Sequence, residues 1–257
     1  MIKYIILGII QGLTESLPLD TQSHIYLLKN LLNTKAFNNP ILNIGILLAI
    51  IIIFRKEITK LTKAFCLYFI KKDNKKYQTK FKETILIFIC AIFITIAKIF
   101  FLNKFEITST KNIIINFIIN AILLFFIKKN KNSINKPLTY KKALLIGLLE
   151  LTSLIPGISQ ITITLFLMHI FKQNTKTSFK YTFLIYLLSN IIPITLNISH
   201  LSLTTYDSIN YCIGILTNTI ISYFTILYLK DLLNKNKVWK LSIYCILIAL
   251  FTTIWFR

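Results

Sequence analysis

The chain has 257 residues, 55% of them hydrophobic and 13% aromatic, with a mean hydropathy of +0.67 and a formal charge of +21. That composition excludes a soluble globule of this length and indicates a multi-spanning membrane protein. The charge comes from 28 lysines and two arginines, Arg55 and Arg257, against nine acids. Because the lysines stand between apolar runs, as cytoplasmic loop anchors do, the excess is assigned to topology and nucleic acid is set aside as a partner.

In chain order, apolar runs fall at roughly 4–19, 25–33, 41–54, 61–70, 84–102, 112–127, 143–155, 158–171, 181–196, 209–229 and 241–256. Those at 84–102, 112–127, 181–196, 209–229 and 241–256 approach the length needed to cross a hydrocarbon core of ~30 Å at ~1.5 Å per residue. The runs flanking two polar motifs, at Gly8–His24 and Gly147–Thr164, are too short to span singly. No small-residue cleavage site follows the first apolar segment, which is therefore read as mature structure. Cys66, Cys90, Cys212 and Cys245 fall singly in apolar runs without CxxC spacing and are read as small core hydrophobes.

Lysine counts set the orientation. Loops 71–82, 128–142 and 230–240 are lysine-rich, whereas 197–208 has no lysine. The first three are expected in the cytoplasm and the last outside. Segment 143–171 then begins and ends on the cytoplasmic side, which predicts a re-entrant helical hairpin with its tip at Ile155–Gln160. Non-helical backbone at that depth must be covered by protein or line a cavity. With 55–83 cytoplasmic and 61–70 lying on or dipping into the surface, residues 1–36 make an opposed hairpin entering from outside. Lys3, Lys29 and Lys35 then fall on the outer side.

The hairpins also match in sequence. Leu13-Thr14-x-x-x-Pro18 pairs with Leu151-Thr152-x-x-x-Pro156, and Thr21-Gln22 with Ser159-Gln160 at the same offset. The expectation is an all-α integral membrane protein, one membrane domain over 1–257 with two inverted repeats, about 1–127 and 128–257, each containing a re-entrant hairpin.

The chemistry is concentrated in the tips. Pro18 and the Pro156-Gly157 pair end the first helix of each hairpin. Asp20, Thr21 and Ser159 then supply cap-forming side chains to the next. Two helix N-termini directed at one cavity favour an anion such as phosphate. Glu15 reads either as a cap or lysine partner, or as a metal ligand or general base. His24 is read as base, acid or nucleophile. His169 and His200 are given no role, and Lys98 is read as a side chain that snorkels outward, with a candidate role as a cation in the site.

The run Gln11-Gly-Leu-Thr-Glu15-x-Leu-Pro18, the polar hexad ending in His24, Leu42-Asn-Ile-Gly45 through Phe54-Arg55-Lys56, and Pro156-Gly157-x-Ser159 together resemble the undecaprenyl-diphosphatase (bacitracin-resistance) family along the whole chain. The resemblance implies a bacterial inner-membrane phosphatase that converts undecaprenyl diphosphate to the monophosphate with a divalent cation, Mg²⁺ or Ca²⁺, recycling the carrier of cell-wall synthesis. It implies Glu15, His24 and Thr21 as catalytic residues. Gln11, Gly157, Ser159 and Gln160 would bind substrate and Glu15 the cation; Asp20, where the sequence departs from the family, adds a second carboxylate for that cation, and the loop charges place the site's opening on the outer face. The polyprenyl diphosphate and membrane lipids are its expected partners, and a homodimer is left open.

Two departures stand out. The family's Ser-Ser-Ser/Thr-Gly before the histidine reads Asp20-Thr21-Gln22-Ser23, and its second-motif arginine reads Gln160. The missing arginine keeps an alternative open, a catalytically impaired relative that binds or translocates a polyprenyl phosphate. A purely structural membrane protein ranks third.

Overall fold

Apolar runs separated by polar, proline- or glycine-bearing turns become helices wherever the turns allow. In a computed structural model describing residues 1–32, 40–70, 75–101, 109–127, 138–155, 157–199 and 205–255, the described residues form ten α-helices, two short 3₁₀ turns and no strand. Helices α1 (Ile2–Ser16) and α2 (Thr21–Leu32) form the first hairpin. A 3₁₀ turn at Pro40–Asn43 leads into α3 (Ile44–Ile70), followed by α4 (Lys75–Phe100) and α5 (Thr110–Phe126). Helix α6 (Tyr140–Glu150), a 3₁₀ turn at Leu151–Leu154 and α7 (Gln160–Ile170) form the second hairpin. Helices α8 (Thr175–Ser199), α9 (Thr205–Asn234) and α10 (Trp239–Trp255) complete the chain.

This is an all-α membrane protein, and its surface says so as clearly as its helix lengths. Three helical stretches, Tyr77–Phe100, Thr175–Leu196 and Ser208–Asn234, are long and apolar enough to cross a bilayer. Helices α5 and α10, at 17 residues, reach only ~25 Å. Large apolar side chains are exposed at helical spacing on α9 (Leu216, Ile220, Phe224, Leu227) and α10 (Ile243, Leu247, Leu250, Ile254). Polar ones such as Asn120, Glu150, Ser189, Asn218, Ser222 and Thr252 are fully buried. A soluble bundle has the reverse arrangement; here lipid solvates the apolar faces and the polar groups bond one another inside.

Two expectations are corrected. Residues 44–54 and 61–70 are not separate segments but parts of the single helix α3, because Arg55, Lys56, Glu57 and Lys60 are good helix formers and no proline or glycine intervenes. Cys66 and Cys212 are exposed, so only Cys90 and Cys245 serve as buried core hydrophobes; all four are free thiols. Parts of the expected cytoplasmic loops, at 71–74 and 128–137, part of the expected outer loop, at 200–204, and the expectations for Lys35, Pro156 and His200 fall outside the described residues.

Packing interlocks the two halves. Helix α1 lies on α9, α6 on α4, α3 on α9, α8 on α4, and α5 on α10. Exchanging α1–α5 for α6–α10 maps each of these contacts onto another or onto itself. Small residues bring α1 and α3 close to α9. A Cβ at Gly8 would sit 2.5 Å from the Gly214 carbonyl oxygen, and one at Gly45 would sit 2.6 Å from Asn218 Cβ. The Asn218 Nδ2 in turn donates to the Leu42 carbonyl at 2.8 Å, fixing the turn that precedes α3.

Candidate active site

The first polar motif forms the turn between α1 and α2. After Ser16 the backbone leaves the helix with Leu17 extended. Pro18 prevents its continuation. Asp20 then caps α2: its Oδ2 accepts from the Ser23 N–H at 2.6 Å, and the carboxylate is within hydrogen-bonding reach of the Gly157 backbone. In the second turn, Gly157 adopts φ +102°, which L side chains rarely take, and a Cβ there would lie 2.4 Å from Asn116 Cβ. Ser159 is extended and caps α7, accepting from the Thr162 N–H at 3.4 Å. The cap-forming types at Asp20 and Ser159 thus occupy the places that their spacing predicted.

The turns are tied at one atom. The Pro18 carbonyl oxygen accepts from Thr162 Oγ1 on α7 at 2.8 Å and from Asn120 Nδ2 on α5 at 2.9 Å. Beside this junction lies a cavity of about 270 Å³ whose walls include Gln11, Glu15, Asp20, Thr21, Ser159 and Gln160. Six of the eight residues singled out from sequence therefore share one space. Gly157 shapes the turn behind it.

His24 lies elsewhere. It points between α5 and α10, with Nδ1 2.5 Å from the Asp20 carbonyl oxygen and Nε2 3.0 Å from the Tyr244 hydroxyl. Its ring packs edge-on against Phe117 and stacks on Tyr244. A carbonyl only accepts, so Nδ1 carries the proton and Nε2 accepts from the tyrosine. Both nitrogens are engaged away from the cavity. What His24 fixes there is the Asp20 carbonyl, at the first turn of α2.

Tyr186 and Asn190 in the wall were missed in the sequence, and the direction of Lys98 was misread. Tyr186 on α8 donates its hydroxyl to Glu15 Oε1 at 2.5 Å. Thr21 Oγ1 is 2.8 Å from Thr14 Oγ1, which donates to the Ile10 carbonyl, so the Thr21 hydroxyl is the donor of that pair. Lys98 does not snorkel outward: its Nζ turns inward and donates to Gln160 Oε1 at 2.8 Å and Asn190 Oδ1 at 2.7 Å. Gln160 Nε2 donates to Glu150 Oε2 at 3.2 Å and Ser189 Oγ at 2.8 Å, and Thr164 Oγ1 donates to Glu150 Oε1 at 2.5 Å. Glu150 and Lys98 carried a visible signal, a charge within an apolar run. Tyr186 and Asn190 carried none, being unremarkable members of an apolar helix.

The arrangement has the parts for work on a phosphate ester: two carboxylates, hydroxyls at two helix N-termini and an ammonium group, in one cavity between apolar helices. Comparison with known proteins points the same way. The sequence profile described as bacitracin resistance protein BacA matches residues 4–251. The chain is 28% identical over 269 residues to undecaprenyl-diphosphatase 1 of Bacillus cereus, covering 99% of this chain and 97% of that one. It is 30% identical over 257 residues to the undecaprenyl-diphosphatase of Thermosipho melanesiensis, covering 96% of each. With undecaprenyl-diphosphatase 1 of Bacillus licheniformis it shares 25% over 265 residues, 97% and 96% of the two chains.

Proposed function

Because the chain belongs to the bacitracin resistance protein BacA family, we propose that it is a bacterial inner-membrane phosphatase that hydrolyses undecaprenyl diphosphate to undecaprenyl phosphate and inorganic phosphate. The observation that carries the reading is the meeting of Glu15, Asp20, Thr21 and Ser159 on one cavity between the two turns. The activity would return the lipid carrier to cell-wall synthesis. Both hairpins are re-entrant in this reading and belong to inverted repeats, with the cavity near the midplane and open to the outer face. The interlocked packing of the halves supports the repeat.

The terminal phosphate binds against the N-termini of α2 and α7, where free N–H groups and the Ser159 hydroxyl meet its oxygens. Thr21 is the cavity-lining hydroxyl at the start of α2, and it attacks the terminal phosphorus. As it attacks, the Thr21 hydroxyl turns from Thr14 Oγ1 and gives its proton to Glu15, held in place by Tyr186, as undecaprenyl phosphate leaves. Water then cleaves the phosphothreonine, releasing inorganic phosphate and restoring the hydroxyl. His24 acts as a positioning residue through Asp20. The polyprenyl chain lies sideways among the apolar helices.

A divalent cation fits the donor set. Glu15 and Asp20 offer carboxylate oxygens, and Asn43 Oδ1, at the wall of the same cavity, is buried without a hydrogen-bond partner. Hard cations such as Mg²⁺ and Ca²⁺ prefer such oxygens. Glu15, Asp20 and Asn43 would hold the ion, which would neutralise charge on the diphosphate.

Purified protein given undecaprenyl diphosphate should release phosphate with Mg²⁺ or Ca²⁺ and stop when the metal is chelated. Retained lipid binding with no release under any metal condition would overturn the phosphatase reading in favour of a binding or translocating relative.

A further inference from the structure

We propose that Lys98 is the residue that grips the diphosphate in this chain, its ammonium group held ready by the side-chain oxygens of Gln160 and Asn190. The inference deepens the phosphatase reading and rests on it for the identity of the anion.

A lysine within a spanning helix normally extends along the helix to reach the interface. Lys98 is in the last turn of α4 and turns inward instead, and its two hydrogen-bond acceptors are both neutral amide oxygens. Their orientation is not a free choice. Gln160 Nε2 faces the Glu150 carboxylate, which only accepts, so Oε1 must face Lys98. Asn190 Nδ2 donates to the Tyr186 carbonyl at 2.8 Å, so its Oδ1 must do the same. Glu150, Ser189 and Tyr186 thereby build a socket that presents two oxygens to one cation.

The socket orders the ammonium but does not neutralise it. Among the described residues the ion pairs fall at Glu57, Glu83 and Asp231, and none involves Lys98. Glu15 and Glu150 act on it through space without touching it. An uncompensated charge inside a membrane protein is costly, and such groups are retained where they meet an ion or substrate. A lysine has three N–H donors, and the socket takes two. The third is left for a ligand in the cavity that Lys98 lines.

The charge balance requires it. A diphosphate entering beside Glu15 and Asp20 meets two carboxylates, and Lys98 is the one basic side chain among the described residues of the cavity wall. Gln160 lies within 2.8 Å of the ammonium, so an arginine at 160 would bring its guanidinium to the same place. Gln160 and Lys98 together therefore occupy the space of a single phosphate-gripping cation contributed by a different helix.

The test compares wild type, Lys98→Met, Lys98→Arg and the double variant Lys98→Met/Gln160→Arg for phosphate release, and for inhibition by inorganic pyrophosphate. Lys98→Met should fold with a Tm no lower than wild type, lower kcat/KM by about 100-fold and weaken pyrophosphate inhibition at least about tenfold, as loss of a transition-state charge donor does. Lys98→Arg should keep activity within about tenfold, since charge is retained in altered geometry. The double variant should recover part of the loss.

Lys98→Met activity within about threefold of wild type, with unchanged pyrophosphate inhibition, overturns the proposal. So does a lowered Tm with unchanged pyrophosphate binding, which would make Lys98 structural. If wild type releases no phosphate, the phosphatase reading fails separately. Pyrophosphate-induced thermal stabilisation, kept by wild type and lost in Lys98→Met, then still decides the role of Lys98.

Discussion

The Tyr186 hydroxyl donates to Glu15 Oε1 at 2.5 Å, joining the first hairpin to α8 across 171 positions of sequence. Under the proposed mechanism Glu15→Gln takes away the proton acceptor and a cation ligand together, and should lower phosphate release by about 100-fold or more. Tyr186→Phe removes only the orienting donor. It should lower kcat by about tenfold with little change in KM, as expected when a positioned group loses its support. Steady-state kinetics in detergent separate the two effects.

His24 provides a second prediction, because its geometry differs from that of a proton carrier. If it works by holding the Asp20 carbonyl through Nδ1, His24→Asn keeps a donor near that position and should retain activity within about tenfold, while His24→Ala loses more. Tyr244→Phe, which deletes the partner of Nε2, should leave the pH–rate profile superimposable on that of wild type. A profile that loses a limb in His24→Asn would instead return the histidine to proton transfer.

The Pro18 carbonyl is where the two turns are joined, so removing its donors should loosen the site before it unfolds the protein. Thr162→Val and Asn120→Leu each strip one hydrogen bond from that oxygen and should each cost about 1 kcal/mol, measured as a fall in detergent Tm. In the double variant the oxygen is left buried without a partner. The loss should then exceed the sum of the single losses, a coupling that a double-mutant cycle reads directly.

Close helix approach gives the fourth. Gly45→Leu would push a side chain into Asn218, whose amide holds the Leu42 carbonyl at the start of α3. Overpacking of this kind costs about 1–3 kcal/mol. Because Asn43 in the same turn lines the cavity, activity and Tm should fall together. Gly45→Ala should show the same directions more weakly.

The sequence alone determined the class of molecule and half of its site. Hydropathy and charge placement identify a membrane protein because lipid, as a solvent, demands long apolar helices and penalises every internal charge. Pro18, Gly157, Asp20 and Ser159 announce turns and caps through strictly local backbone constraints, so they were legible one residue at a time. Glu15, Asp20 and Thr21 could be grouped because they are neighbours in one motif.

Only the tertiary structure decided where His24 and Lys98 point, since a side chain's direction depends on what the facing helix offers. His24 found a tyrosine on α10 and left the cavity; Lys98 found two amide oxygens on α7 and α8 and entered it. The same holds for Tyr186, whose hydroxyl meets Glu15 only because the fold brings α8 within reach of the end of α1. Local sequence fixes where a helix may begin and end, but partners more than a hundred positions apart are chosen by packing.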